Sequence, residues 1–309
     1  MSFSSALAYR DDLVALFPGQ GSIAHGAGLP WRDSPHWSTV SEVSHASGVD
    51  VERLLLEAPD EEVIRTDNAQ LATLALSMVG FRELLERGIR PRYYLGHSLG
   101  EFTALVAAGV ISLEDGARVI RARGQAMAGA AKKTGGSMVA LMGPSDGARE
   151  VLNSMVDLWV ANVNGEGQIV VSGTQEALDD LLARHRELGW RRAAALPVGG
   201  AFHSPLMSQA QDDLDGALAD VTFQSSAAIV LANVDGVVHA DPAAWRGLLS
   251  RQLTSPVQFL AATLALPETV TSSVEMPPGN VLTGLTKRIR NFHQQFAPGN
   301  RDQIQEMPL

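Results

Sequence analysis

The chain has 309 residues, of which 45% are apolar and 19% charged, so it can bury a large core and is not disordered by composition. It has no cysteine, which excludes disulfides and cysteine-ligated metals, and its formal net charge of −10 argues against a general nucleic-acid binder. No apolar run is long enough to span a bilayer and no signal-peptide pattern opens the chain, so we expect a cytoplasmic globular protein without a membrane anchor or metal site.

Short apolar strands alternate with longer helical stretches along the chain, which predicts an α/β fold with a mostly parallel sheet. The first part of the chain predicts strands at residues 13–17 and 92–95, and helices at 69–87, 98–108 and 112–130. After residue 203, the pattern predicts a helix from Ser204, a strand near 228–231, a helix at 243–252, a strand at 270–275 and a helix from about Asn280. These segments indicate one large α/β body.

Residues 137–198 have a different order of elements. Strands at 137–142, 158–163, 168–172 and 191–198 alternate with helices at 145–155 and 175–188. The order β-α-β-β-α-β is the ferredoxin-like arrangement, and pairs of glycine flank it as hinges. We therefore expect a large α/β subdomain from residues 1–133 and 199–309, interrupted by a small ferredoxin-like subdomain at 134–198.

A candidate nucleophile lies after the second predicted strand. Gly96-His97-Ser98-Leu99-Gly100 matches the nucleophile-elbow pattern G-x-S-x-G. The pattern alone is weak, but here it joins a predicted strand to a predicted helix, which is the setting that the elbow requires. Ser98 would then stand at a helix N-terminus, where free N–H groups can bind an oxyanion. The segment predicts a nucleophilic serine.

A serine nucleophile needs a base, and His203 is the candidate among eight histidines. It follows a predicted strand and the flexible pair Gly199-Gly200, and it precedes a helix start. A loop histidine is more often structural, so the residues alone leave this assignment open. No aspartate lies beside His203 in the sequence, which leaves a main-chain carbonyl as the alternative partner for its ring.

Two other segments carry groups that could take part in catalysis or substrate binding. Residues 17–22 (FPGQGS) follow the first strand and could supply a second oxyanion donor, but no G-K-[ST] follows to make a phosphate loop. Arg123 lies between Ala122 and Gly124 in the apolar half of a predicted helix. A guanidinium that faces a cavity there could hold a carboxylate through two parallel hydrogen bonds.

Together these segments resemble one family, the malonyl-CoA:acyl carrier protein transacylases and the related acyltransferases of polyketide synthases. The similar segments are FPGQGS (17–22), GHSLGEFTAL (96–105), RGQAM (123–127), ANVNGEGQ (161–168), GAFH (200–203) and VLTGLTKR (281–288). They occur in the family's order over nearly the whole chain. The resemblance implies a hydrolase-like α/β body with a ferredoxin-like insert, in agreement with the predicted elements.

The resemblance also implies a reaction for fatty acid or polyketide synthesis. A malonyl group would pass from malonyl-CoA to the phosphopantetheine thiol of an acyl carrier protein through an ester on Ser98, with no bound cofactor. His203 would deprotonate Ser98, and the N–H groups of Gln20 and Leu99 would bind the oxyanion. The main-chain carbonyl of Gln252 would orient His203 and so replace the third member of a triad.

The resemblance assigns five further residues to the substrate. Arg123 would pair with the free carboxylate of the malonyl group, and Gln70, Asn164 and Met127 would line its pocket. Phe202 would fill the space that a substituent on the malonyl α-carbon needs, which favours malonyl over methylmalonyl groups. Such steric discrimination is typically about 1–3 kcal/mol.

Two positions depart from the family pattern close to these segments. Ile23 stands where relatives often carry glutamine, and Pro277 occupies a position that is usually glycine. A proline there fixes φ near −65°, so we expect a reshaped turn beside the pocket.

The carrier protein, which the resemblance implies to be acidic, would need a local basic patch on this acidic chain. The candidates are Arg191, Arg192, Lys287, Arg288 and Arg290, although solvated surface charges explain them equally well. We expect the protein to act as a monomer.

Three alternatives to malonyl transfer remain. An acyl-carrier-protein thioesterase would use the same serine but pass the acyl group to water; Arg123 argues against it, because editing relatives usually lack this arginine. An acyltransferase for another acyl group would keep all the chemistry of Ser98. A non-catalytic module that binds a carrier protein ranks last, because the candidate nucleophile and base are both present.

Overall fold

The structure is a computed structural model, and it describes residues 7–308. The first six residues and the last, which the predicted large subdomain includes, lie outside this part of the chain. Within it the strands are β1 (Arg10–Phe17), β2 (Pro91–Gly96), β3 (Ser137–Pro144), β4 (Leu158–Gly165), β5 (Gln168–Gly173), β6 (Trp190–Ala195), β7 (Ile229–Leu231), β8 (Ser272–Glu275) and β9 (Gln294–Phe296).

The helices of the same residues are α1 (Ser38–Ser47), α2 (Val51–Leu56), α3 (Asp60–Val63), α4 (Thr66–Glu86), α5 (Leu99–Ala107), α6 (Leu113–Thr134), α7 (Ala148–Leu152), α8 (Gln175–Arg184), α9 (Ser208–Ala219), α10 (Ala244–Gln252), α11 (Phe259–Leu264), α12 (Val281–Ile289) and α13 (Arg301–Glu306). Every predicted element has a counterpart here, with bounds that are shorter in some cases and longer in others. The sequence did not predict α1, α2, α3, α11, α13 or β9.

The larger sheet contains five strands in the order β7-β2-β1-β8-β9, and every pairing in it is parallel. The central strand β1 has no exposed side chain from Leu13 to Phe17, because helices cover both faces of the sheet. The 21-residue helix α4 is buried at every position from Asn68 to Phe81. These observations confirm the predicted α/β body with a parallel sheet.

The smaller sheet has four antiparallel strands in the order β4-β5-β3-β6. With α7 and α8 it has the β-α-β-β-α-β order and the strand arrangement of a ferredoxin-like unit, as predicted. It has its own apolar core, which includes Val139, Leu141 and Trp190. The subdomain boundaries at residues 134 and 198 stay a prediction.

The small sheet is joined to the body through its edge strand β4. Val163 N–H donates to the carbonyl of Val257, and Val257 N–H donates to the carbonyl of Ala161, each at 2.9 Å. Val257 follows α10, so these bonds fix the small sheet against the part of the body that carries Gln252. None of the described helices has both the length and the apolar composition required to cross a bilayer.

The turn between β2 and α5 depends on two glycines. A Cβ atom on Gly100 would lie 1.9 Å from the carbonyl oxygen of Phe17, and one on Gly96 would lie 2.0 Å from the carbonyl carbon of Gly100. Such contacts are far inside van der Waals separation, so only glycine lets α5 begin this close to the ends of β1 and β2.

We therefore expect Gly100→Ala to destabilise the protein by about 1–3 kcal/mol or more, because the methyl group must displace main-chain atoms. Thermal unfolding followed by circular dichroism measures the change. Gly129→Ala is the matched control, since nothing lies within 4 Å of its Cβ position in α6. That substitution should stabilise the helix by roughly 0.5–1 kcal/mol. Equal melting temperatures for wild type and Gly100→Ala would contradict the packing described.

Candidate active site

Ser98 occupies the turn between β2 and α5 with φ 53° and ψ −107°, a backbone conformation that non-glycine residues rarely adopt. Hydrogen bonds hold both sides of this residue. Its N–H donates to Oδ1 of Asn233 at 2.7 Å, and its carbonyl accepts from Nε2 of Gln252 at 2.9 Å. Strain of this kind persists only where the surroundings fix the residue, as they do here.

His203 lies beside Ser98, although the two are 105 positions apart in the sequence. Its Nε2 is 2.8 Å from Ser98 Oγ, and its Nδ1 is 2.8 Å from the carbonyl oxygen of Gln252. A carbonyl can only accept, so Nδ1 carries the proton and Nε2 is free to accept from the serine hydroxyl. The structure thus brings Ser98, His203 and the Gln252 carbonyl into one hydrogen-bonded chain.

The environment of His203 keeps its ring neutral. Burial lowers the pKa of His203 to about 3, and the positive charge of Arg123 acts in the same direction. A neutral imidazole at neutral pH is the form that can take a proton from a serine.

Arg123 is fully buried on α6. Its Nη2 donates to Ser98 Oγ at 3.0 Å and to Oε1 of Gln252 at 2.9 Å, and its Nη1 donates to Oε1 of Gln70 at 2.7 Å. Within the described residues, its Nε has no acceptor. Burial lowers the pKa of Arg123 to about 9, so the guanidinium remains charged at neutral pH.

The sequence did not identify two residues that hold this arrangement together, Glu101 and Asn233. Both are inaccessible to solvent. Glu101 accepts the main-chain N–H of Asn233 at 2.9 Å and the side-chain N–H of Gln252. Burial raises the pKa of Glu101 to about 7, against the effects of these two donors and of Arg123. Glu101 lies within the family-like segment GHSLGEFTAL (96–105), but neither that segment nor its place in the first turn of an apolar helix indicated what it binds.

A cleft of about 310 Å³ opens in front of Ser98 and His203. Among the predicted site residues, Gln20, Asn164, Met127 and Phe202 also line it. Much of the remaining wall is apolar and comes from the small sheet and α12: Met138, Ala140, Val170, Leu196, Val281, Leu282 and Leu285. The cleft therefore lies between the small subdomain and the ends of the parallel strands.

The other predicted residues do not form the cleft wall. Arg123 and Gln70 lie behind Ser98, and Nε2 of Gln70 is 3.4 Å from the sulfur of Met127. Asn164 does line the cleft, and its Oδ1 lies 2.8 Å from Nε2 of His97, so this oxygen already accepts a hydrogen bond. Arg123 is thus reached through the atoms around Ser98 and does not line the cleft.

Two main-chain N–H groups near Ser98 are available to a ligand. Leu99 begins α5 and Gln20 begins a short 3-10 turn, Gln20–Ser22, that follows β1. Among the described residues, neither N–H has an acceptor. The first N–H groups of a helix lack internal partners, which makes both of them suitable donors to an anion.

The two departures from the family pattern lie outside the cleft wall. Ile23 is buried in the main core, and Pro277 packs against Gly80 on α4. A Cβ atom added to Gly80 would lie 2.4 Å from the proline ring. The carbonyl of Pro277 accepts from Ser77 Oγ at 2.6 Å.

One side-chain group of the described residues could hold a metal ion. Ligand atoms of His36, Glu83 and Glu86 lie within 4.8 Å of one another. The Glu83 carboxylate already accepts from Ser34 and Arg301, however, and none of the three lines the cleft. The cleft contains side chains suited to acyl chemistry and to anion binding.

Comparison with known proteins agrees with this geometry. The family described as "Acyl transferase domain" matches residues 14–299. The malonyl CoA-acyl carrier protein transacylase of Bacillus subtilis is 34% identical over 301 residues, which is 95% of each chain. The chain belongs to the malonyl-CoA:acyl carrier protein transacylase family.

Solved structures of this transacylase family have the same fold. The enzyme from Xanthomonas oryzae is 38% identical, with a TM-score of 0.88 over 95% of this chain and 96% of that one. A second match is the structure described as a type II PKS acyl-carrier protein in complex with its malonyl-transacylase. The matched chain is 32% identical, with a TM-score of 0.89 over 95% of this chain and 97% of that one. These relatives fit the transferase interpretation and not the thioesterase or the non-catalytic alternative.

The unusual pKa of His203 can be measured. Since burial and Arg123 both disfavour the imidazolium, we expect the His203 ring to stay neutral as the pH falls from 8 to about 4.5, well below the ordinary histidine pKa of about 6.5. NMR titration of the imidazole carbons reports this, with the resonance assigned by its loss in His203→Gln. A His203 midpoint near the ordinary value of about 6.5 would contradict the buried environment described.

Proposed function

We propose that this protein transfers a malonyl group from malonyl-CoA to an acyl carrier protein in the cytoplasm, through an ester on Ser98. The observation that supports this most strongly is the environment of Ser98 Oγ. It lies 2.8 Å from Nε2 of a neutral His203 and 3.0 Å from Nη2 of Arg123. One atom is therefore next to both a base and a cation that can bind a carboxylate.

In the first half of the reaction, Ser98 Oγ attacks the thioester carbon while His203 Nε2 takes the hydroxyl proton. The carbonyl oxygen becomes an oxyanion, which the N–H groups of Gln20 and Leu99 bind; one such donor typically contributes about 3–4 kcal/mol. The carbon–sulfur bond then breaks, and the thiolate of coenzyme A leaves with the proton from His203. The product is a malonyl ester of Ser98.

The second half reverses these steps with another thiol. The phosphopantetheine thiol of the carrier protein gives its proton to His203 Nε2 and attacks the ester carbon. Ser98 leaves and recovers its proton, so no water or cofactor is consumed. The Gln252 carbonyl holds the ring of His203 in one orientation through both halves, since its bond to Nδ1 leaves Nε2 facing Ser98.

Arg123 provides the selection for a malonyl group. Only one methylene separates the thioester carbonyl of malonyl-CoA from its free carboxylate, so an acyl group on Ser98 Oγ carries that carboxylate close to the guanidinium. An acetyl group has no carboxylate, so it adds no charged partner for the buried cation. A bound carboxylate also offsets the charge that lowers the pKa of His203, so the correct substrate makes the base stronger.

Phe202 and Met127 limit the size of the acyl group. Both line the cleft, and the main chain of Phe202 is held by a hydrogen bond from Ser172 Oγ. Phe202 is only 5% exposed, so its ring has little room to move. A substituent on the malonyl α-carbon would have to displace this ring, which favours malonyl over methylmalonyl groups.

The carrier protein would approach the cleft from the side of α12. Leu282 and Leu285 of this helix line the cleft, while Lys287 and Arg288 near its end are exposed. Arg288 Nη1 donates to Oε1 of Gln168, another residue of the cleft wall, at 3.3 Å. A basic group at this position would attract an acidic carrier protein to the entrance.

Intact-mass measurement after incubation with acyl-CoA donors tests this proposal. We expect malonyl-CoA to add one malonyl group to the wild type, and Ser98→Ala to remove the adduct because the accepting oxygen is lost. Addition of phosphopantetheinylated carrier protein should then transfer the adduct to its thiol. Rapid release of malonate to water without transfer would instead support a thioesterase.

The same assay separates the role of Arg123 from that of Ser98. Arg123→Ala should still accept an acetyl group on Ser98 while its rate with malonyl-CoA falls by about 100-fold or more, as expected for the loss of a charged hydrogen bond. Arg121→Ala is the control, because that arginine lies two positions away on α6 and is partly exposed. An unchanged preference between malonyl and acetyl donors in Arg123→Ala would contradict the assignment.

A further inference from the structure

Glu101 is a buried carboxylate close to the reacting atoms that the proposed mechanism does not use. It lies in the first turn of α5 and has no solvent-exposed surface. Each of its oxygens accepts one N–H group: Oε1 from the main chain of Asn233, and Oε2 from Nε2 of Gln252. A buried carboxylate is costly unless its oxygens are satisfied, so this position has a specific requirement for two acceptors.

The two partners of Glu101 are the residues that hold Ser98. The side chain of Asn233 accepts the Ser98 N–H and donates to the carbonyl of Gly96, each at 2.7 Å. The side chain of Gln252 donates to the Ser98 carbonyl at 2.9 Å. The Glu101 side chain is therefore linked to both ends of Ser98 through one intervening residue at each end. The φ of 53° at Ser98 needs such support.

We propose that Glu101 is a positioning residue, which holds Asn233 and Gln252 against the two ends of the strained Ser98 main chain and so directs Ser98 Oγ toward His203. The role in malonyl transfer rests on the proposed function, but the effect on the serine itself does not. Glu101 acts through its neighbours and donates or accepts nothing at the acyl group.

The chemistry of the side chain explains why a carboxylate is needed. A glutamine at position 101 has one acceptor oxygen and one N–H₂ donor. The N–H group of one of its two neighbours would therefore point at this N–H₂ group and would have no acceptor. If the amide faced Gln252, that side chain would have to rotate and turn its own amide toward Arg123. The bonds from Gln252 to the Ser98 carbonyl and from Arg123 to Gln252 would then both be lost.

The experiment compares Ser98 reactivity in wild type and Glu101→Gln with three reagents, which are a neutral sulfonyl fluoride, acetyl-CoA and malonyl-CoA. The sulfonyl fluoride reacts with an activated serine and needs no recognition of an acyl group. We expect the rate of Ser98 modification, per folded protein, to fall by about 10- to 100-fold with all three reagents, because a small misplacement of a nucleophile has effects of this size.

Glu83→Gln is the matched control. Glu83 is also fully buried, and it accepts from Ser34 Oγ at 2.5 Å and from Arg301 Nε at 3.2 Å, away from the cleft. This variant loses a buried carboxylate with a comparable number of partners, so it should be destabilised. Its folded form should still react with the three reagents at wild-type rates.

Glu101→Asp serves as a second variant if Glu101→Gln yields no folded protein. It keeps both acceptor oxygens on a shorter side chain, so its folded form should lose rate with all three reagents, though less than glutamine. Wild-type rates in the folded variant, or a loss equal to that of Glu83→Gln, would overturn the proposal. A loss confined to malonyl-CoA would also overturn it, since Glu101 would then act on Arg123 alone.

The sulfonyl fluoride distinguishes this proposal from the proposed function. If the wild type reacted with the reagent but formed no malonyl ester, malonyl transfer would be wrong. A lower reagent rate in the Glu101 variant would still support the positioning role, because the reagent does not depend on the natural acyl donor.

Discussion

The charged guanidinium of Arg123 has no solvent-accessible surface, and the arrangement of the site follows from that constraint. A buried cation is costly unless acceptors surround it. Here the acceptors are Oε1 of Gln70, Oε1 of Gln252 and Oγ of Ser98. Burial lowers the pKa of Arg123 to about 9, and Glu101 is the carboxylate whose charge opposes this effect. The nucleophile is thus one of the groups that make the buried charge tolerable.

The fold brings these groups together from separate parts of the chain. Ser98 follows the end of the parallel strand β2, Arg123 lies on α6, and Gln252 ends α10. The two glycines of the turn after β2 allow α5 to begin directly against β1, which leaves Ser98 in a strained conformation. Asn233 and Gln252 hold that conformation, so the geometry of the serine depends on residues more than 130 positions away.

Local patterns in the sequence predicted much of this architecture. The short segment at residues 92–95, followed by the glycine-flanked motif, predicted the strand before Ser98. The order of strands and helices predicted the ferredoxin-like arrangement of residues 137–198. The segments that resemble the family named Ser98, His203 and Gln252 as neighbours, and the structure places them in contact. Family resemblance could do this because each of these residues belongs to a short motif or a recognisable position.

Other features depend on contacts between distant segments, and the sequence could not show them. The helix α1 (STVSEVSHAS) has few apolar residues, so it depends on packing against α4 and α6 more than on its own pattern. No spacing rule connects Glu101 with its partners, because Asn233 and Gln252 lie 132 and 151 positions away from it in the sequence. The sequence also could not show that Arg123 is fully buried, because this depends on how α6 packs behind Ser98.

The most direct test of this account is a crystal structure of the malonyl-Ser98 ester, obtained by soaking crystals with malonyl-CoA. The account predicts the malonyl carboxylate within hydrogen-bond distance of the Arg123 guanidinium, roughly 2.7–3.0 Å, with the ester carbonyl facing the N–H groups of Gln20 and Leu99. A carboxylate that points into the open cleft, with Arg123 still bound to Gln70 and Gln252 as before, would contradict it.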